Sequence, residues 1–220
     1  MKTALSSMLR TMRAYAGAGG LVAVLMSLSH TAQAHHAMGG RTPSTLFEGL
    51  LSGLAHPVIG LDHLAFVVAL GLLAIGARSR LTIPALFVAM TLLGTGLHLM
   101  RVDVAAVEVL VALSVLAAGA LLATNRRQPL ALLLPLAALA GLLHGYAYGE
   151  SIVGAESTPL AAYLLGFGLV QFAIALAARW AGARLLTAAD GRAMLRVSRA
   201  SAAAVCAIGM LYLGLALYAA

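Results

Sequence analysis

The chain is poor in cysteine and in charge. One cysteine, Cys206, stands among 220 residues, which excludes a disulfide framework and any CxxC zinc or redox site. Charged residues make up 10% of the sequence, against about 25% in soluble domains. Acids are scarcer still, with seven Asp and Glu against fourteen Lys and Arg. No P-loop or other nucleotide motif occurs, so ATP hydrolysis by this chain is excluded. No stretch reads as a soluble domain, a linker or a low-complexity tract. What is left is apolar, at 62% hydrophobic residues. Such a composition excludes an ordinary soluble domain, a disordered chain, a coiled coil and a collagen-like chain, and indicates a membrane protein.

The first residues read as a targeting segment. Lys2, Arg10 and Arg13 precede an apolar run over residues 14–28, and Ala32-Gln33-Ala34 follows. A basic start, a short apolar run and a small-x-small site describe a cleaved signal peptide over residues 1–34. Gly17, Gly19 and Gly20 break the run, which argues against an uncleaved first span. The mature chain, residues 35–220, would begin His35-His36 outside the cytoplasm, in a bacterium on the periplasmic side.

A membrane span needs about 20 apolar residues. Windows of that kind run over residues 62–77, 81–100, 104–124, 129–148, 159–180 and 200–219. The expected fold is therefore all-α, a polytopic bundle of six transmembrane helices. Pro84, Pro129 and Pro159 sit at helix starts, where proline is tolerated. With His35 outside, the inner loops carry Arg78, Arg80, Arg126, Arg127, Arg179, Arg184, Arg192, Arg196 and Arg199. The outer segments carry only Arg41 and Arg101. That asymmetry fits the positive-inside rule, with both termini periplasmic in the inner membrane. It assigns the net charge of +7 to orientation and not to nucleic acid.

Acids and histidines show the opposite bias. Glu48, Asp62, Asp103, Glu108, Glu150 and Glu156 fall on the outer half, as do His35, His36, His56, His63, His98 and His144. Carboxylates and imidazoles gathered on one side suit a cation-collecting vestibule. Helix rise places Asp62, His98, Glu108 and His144 about 24–27 Å from the inner arginines, in one layer.

Residues 56–63 read His-Pro-Val-Ile-Gly-Leu-Asp-His. The apolar stretch around them, residues 46–77, would be about 48 Å long as one helix, too long for one crossing. Pro57 and Gly60 predict a break at 57–60, with a short outer helix before it. Broken helices are where transporters build ion sites. An acid in a span is costly, so Asp62 reads as functional; the alternative is an N-cap. A carboxylate with two imidazoles suits Ni²⁺, Co²⁺ or Zn²⁺. Later, Gly141, Gly145 and Gly149 form a stripe for close helix packing, with His144 and Glu150 as candidate ligands beside it. His98 reads equally as a ligand or a helix-end histidine meeting the dipole. Glu108, His35 and His36 are lesser candidates.

The run from Phe47-Glu48-Gly49 to His56-Pro57-Val58-Ile59-Gly60-Leu61-Asp62-His63-Leu64 resembles the first signature of the HupE/UreJ family, hydrogenase- and urease-associated nickel permeases. A later family pattern, Phe-His-Gly-x-Ala-x-Gly-x-Glu, matches His144, Gly145, Ala147, Gly149 and Glu150, with Leu143 where the family has Phe. Members often carry a histidine in the fifth span; Gln171 is the uncharged polar group there in this chain. The resemblance implies a metal site at His56, Asp62, His63, His144 and Glu150. It implies a permease importing nickel, or cobalt, as transported ion, with no cofactor and no enzymatic activity. The partners it implies are the lipid bilayer and, as client, a hydrogenase or urease maturation system. A competing reading of the residues is an intramembrane zinc-dependent hydrolase, with Glu150 and Ser151 beside the metal.

Overall fold

The structure, a computed structural model, describes residues 41–77, 81–188 and 191–219. The expected leader, with His35 and His36, lies outside the described residues. Those described are helical, with no strand. In chain order the helices are α1 (Leu46–Ile59), α2 (Leu61–Leu73), α3 (Thr82–Leu99), α4 (Val107–Ala123), α5 (Leu130–Gly149), α6 (Ser157–Ala188) and α7 (Gly191–Ala219). A 3-10 turn, Glu150–Ile152, follows α5.

Four helices are long and apolar enough to cross a membrane: α3, α5 with its 3-10 turn, α6 and α7. The pair α1–α2 passes the same test jointly and is bent by 77°. At 17 residues, α4 is apolar but spans only about 26 Å. The first expected span is shorter than its sequence window. It ends at Leu73, and 13 residues reach only about 20 Å. The cause is the turn that follows, where Gly76 takes φ +84°, a conformation that favours glycine. So α2 is a half-span that depends on α1.

The break between them falls at Gly60, which takes an extended ψ of 98°. Pro57 lies inside α1 and not at the break. It stands in the last turn, where its missing N–H forgoes one helix bond and the chain can still complete two more residues. At the other end of α1, Thr45 accepts from the Glu48 amide. The Glu48 carboxylate in turn accepts from the Ser44 amide and hydroxyl. Glu48 therefore has a capping role.

Three tight helix pairs surround α2, and in each a small residue lets backbones meet. In α3–α5, Gly145 faces the Thr91 backbone and Gly94 faces the Leu142 carbonyl. In α1–α6, Gly53 meets the Tyr163 carbonyl and Gly166 that of Leu50. In α4–α7, Gly119 meets Cys206 and Gly209 meets Leu116. The stripe Gly141–Gly145–Gly149 thus packs against α3, as its spacing predicts. Helix α2 is buried nearly all round, through Phe66, Val67, Ala69 and Leu70. The outward faces of the pairs stay apolar: Phe47, Leu51, Leu93, Leu139, Leu165 and Met210 are exposed, as a lipid-facing surface requires.

Candidate metal site at the broken helix

The 77° bend puts the end of α1 and the start of α2 side by side, inside the bundle. His56, Asp62 and His63 are each at most 2% exposed, and His144 of α5 is fully buried. The His56 and His63 rings lie 5.7 Å apart, and those of His63 and His144 lie 4.9 Å apart. Asp62 is close enough to act electrostatically on His144, on Tyr148 of α5 and on Tyr212 of α7. Four of the five main candidates therefore lie buried in one region of the bundle. The capping alternative for Asp62 fails: the N-cap of α2 is Gly60, with no side-chain cap bond.

The hydrogen bonds have a direction. Ser114 of α4 donates to the Val111 carbonyl at 2.7 Å, which uses its one proton. Its oxygen lies 2.9 Å from His144 Nε2, so Nε2 carries a proton and donates. His144 Nδ1 is then a bare acceptor, 2.8 Å from His63 Nδ1, and His63 is the donor in that pair. This tautomer assignment rests on the bonding pattern. On the other side, His56 Nδ1 lies 3.0 Å from the Ser151 hydroxyl. Tyr148 packs edge-on against both His56 and His63, at 4.9 and 4.6 Å. Its hydroxyl donates to Gln171 Oε1, and Tyr163 donates to the Tyr148 carbonyl. Phe66 and Phe87 close the floor against His144.

The remaining candidates are elsewhere. Glu150, at the first position of the 3-10 turn, and Glu108, in the first turn of α4, are exposed. His98 lies in the last turn of α3, against the Tyr146 ring and Gly149. That is the helix-end position, outside the histidine cluster. Among the described residues, no group of three His, Cys, Asp or Glu side chains is arranged to hold a metal ion as it stands. The cluster is closed on itself through the His63–His144 bond. Sequence reasoning missed Ser114, Tyr148 and Tyr163 and treated Gln171 only as a missing ligand. The one signal for Ser114 was a lone hydroxyl midway along an apolar helix.

The family model for the HupE / UreJ protein matches residues 22–212. The chain belongs to the HupE/UreJ family. A curated relative, Protein HupE of Rhizobium leguminosarum bv. viciae, is 28% identical over 136 residues, covering 56% of this chain and 71% of the relative. No solved structure matches. The family is one of hydrogenase and urease accessory transport proteins. In this HupE/UreJ chain both signature motifs converge: His56, Asp62 and His63 from the first lie against His144 from the second.

Proposed function

We propose that this protein is a permease carrying a divalent transition metal, nickel before cobalt, across the bacterial inner membrane into the cytoplasm. His63 and His144 are the central ligands, with Asp62 and His56 beside them. The observation that carries the reading is the His63–His144 contact. Metal–imidazole bonds are about 2.0–2.1 Å long. Two such bonds at a right angle hold their nitrogens about 2.9 Å apart, and at the tetrahedral angle about 3.4 Å. The observed 2.8 Å is a hydrogen-bond distance that leaves the two nitrogens close enough to share one ion, and the order nickel before cobalt follows the family resemblance. Rotation of the two rings, with the His63 proton moved from Nδ1 to Nε2, would aim both Nδ1 lone pairs at one ion.

The surroundings support transit better than storage. Asp62 supplies negative charge at a buried position, where a cation is otherwise costly. The bent pair is a break of the kind that lines ion sites in transporters. His98, Glu108 and Glu150 lie towards the outer ends of their helices and serve as collectors of cations at the entrance. The protein takes its orientation from its arginines, with both termini periplasmic. The hydrolase alternative needed Glu150 and Ser151 together at the metal; Ser151 meets His56, and Glu150 is exposed.

The test is radiometal uptake by the purified protein in liposomes, comparing Ni²⁺, Co²⁺ and Zn²⁺ at equal free concentration. Saturable uptake with Ni²⁺ fastest is expected. Rates equal to empty liposomes would overturn the proposal.

A further inference from the structure

At the end of the bundle opposite the histidines, four helices leave a gap. A cavity of about 520 Å³ lies between α2, α4, α6 and α7, within the range of sites that hold small ligands. Its walls are apolar, with Leu73 of α2, Leu121 of α4 and Leu185 of α6 among them. Its rim is polar and of one sign. Arg126 and Arg127, both exposed, line it from the turn between α4 and α5. Beside them, Ser198 of α7 donates to Asn125 Oδ1 at 3.0 Å. The Arg127 guanidinium lies over the Gly76 turn, so that it overhangs the space below α2. No acid is among the described lining residues.

This chemistry does not suit the exit of a metal ion. Apolar walls give a dication no ligand, and two guanidinium groups repel it. The same features suit an amphiphile whose apolar chain lies in the gap and whose anionic head meets the arginines. Guanidinium forks match phosphate oxygens in geometry as well as charge. Basic pockets between transmembrane helices at the cytoplasmic side are where anionic lipid headgroups bind. The charge complementarity selects a phospholipid with net negative charge over a zwitterionic one.

We propose that the cavity is a binding site for an anionic phospholipid. One acyl chain lies between α2, α4, α6 and α7, and the phosphate is held by Arg126 and Arg127. The lipid fills the space under the half-span α2, which is too short to reach that membrane face alone. It therefore supports the floor of the histidine cluster from below. The lipid site does not depend on the identity of the transported ion.

The experiment is native mass spectrometry of the purified protein, delipidated in detergent and then offered equal amounts of dioleoyl phosphatidylglycerol and dioleoyl phosphatidylcholine. Each arginine near anionic lipid contributes about a fivefold preference, so roughly a thirtyfold enrichment of phosphatidylglycerol is expected. The double variant Arg126→Ala/Arg127→Ala should lose that enrichment, and Arg126→Lys/Arg127→Lys should retain most of it. Ala181→Phe, on the α6 wall of the cavity, should reduce the retention of either lipid while the arginines remain. Equal retention of the two lipids by the wild type would overturn the proposal. So would wild-type enrichment in the double alanine variant.

Discussion

Ser114→Ala removes one hydroxyl and tests how the histidine pair is oriented. In the wild type the hydroxyl gives its proton to Val111 and accepts from His144 Nε2. That fixes the bare nitrogen of His144 on the side of His63, where a metal would bind. Without the hydroxyl, a fully buried N–H loses its acceptor. Leaving such a donor unmatched costs about 1–3 kcal/mol. The ring can escape only by moving its proton to Nδ1, which removes the lone pair that the ion needs. The first outcome lowers the stability of the fold, and the second weakens metal binding, by about 5- to 150-fold on that scale. Loss of the group that anchors a ligating histidine typically has an effect of about 10–100-fold. The assay is initial-rate nickel uptake in liposomes at subsaturating metal, with nitrogen NMR of labelled imidazoles reporting the His144 tautomer. Ser114→Thr keeps the hydroxyl and should keep the tautomer. Wild-type uptake and wild-type stability in well-inserted Ser114→Ala, with an unchanged tautomer, would refute the reasoning.

Asp62→Ala and His63→Ala should each reduce nickel uptake at least about tenfold while the protein still inserts; wild-type rates in both would remove these residues from the transport path. Gly145→Ala sets a methyl against the Thr91 backbone, which has no side chain to yield, and overpacking of that kind costs about 1–3 kcal/mol. A thermal unfolding midpoint unchanged from wild type would contradict the close α3–α5 contact. Uptake should fall at low outer pH, because only neutral imidazole binds a metal and protons compete with it. A flat profile would argue against histidine ligation. N-terminal sequencing of the mature protein should return His35, and a chain beginning at Met1 would mean that the leader is retained.

Much of the bundle was legible because apolar windows, prolines and glycines mark helix ends directly. Helices α3, α5, α6 and α7 fall on their windows. The broken helix was legible from arithmetic, since 32 apolar residues exceed one crossing. The break falls at the last residue of the expected 57–60 stretch, because proline in a last turn does not have to end a helix, and Gly60 alone supplies the bend. The facing of each helix was not legible. In lipid the outer surface is as apolar as the core, so the sequence of α4 or α5 carries little periodic contrast. That is why Ser114 went unread and Glu150 was expected as a ligand. The motif spacing around His144 is intact, but the chain turns into a 3-10 segment at Glu150 and leaves it exposed. The glycine stripe was the exception. Small residues at intervals of four indicate a close neighbour, and α3 proved to be that neighbour.

The central claim is that a metal on its way through this protein binds between His63 and His144. X-ray absorption at the nickel edge tests it most directly, on the protein loaded with one equivalent of Ni²⁺ in nanodiscs. The account predicts imidazole scattering from at least two histidines at about 2.0–2.1 Å, with the histidine contribution reduced in both His63→Ala and His144→Ala. A shell of oxygen alone, or a spectrum that neither variant changes, would contradict it.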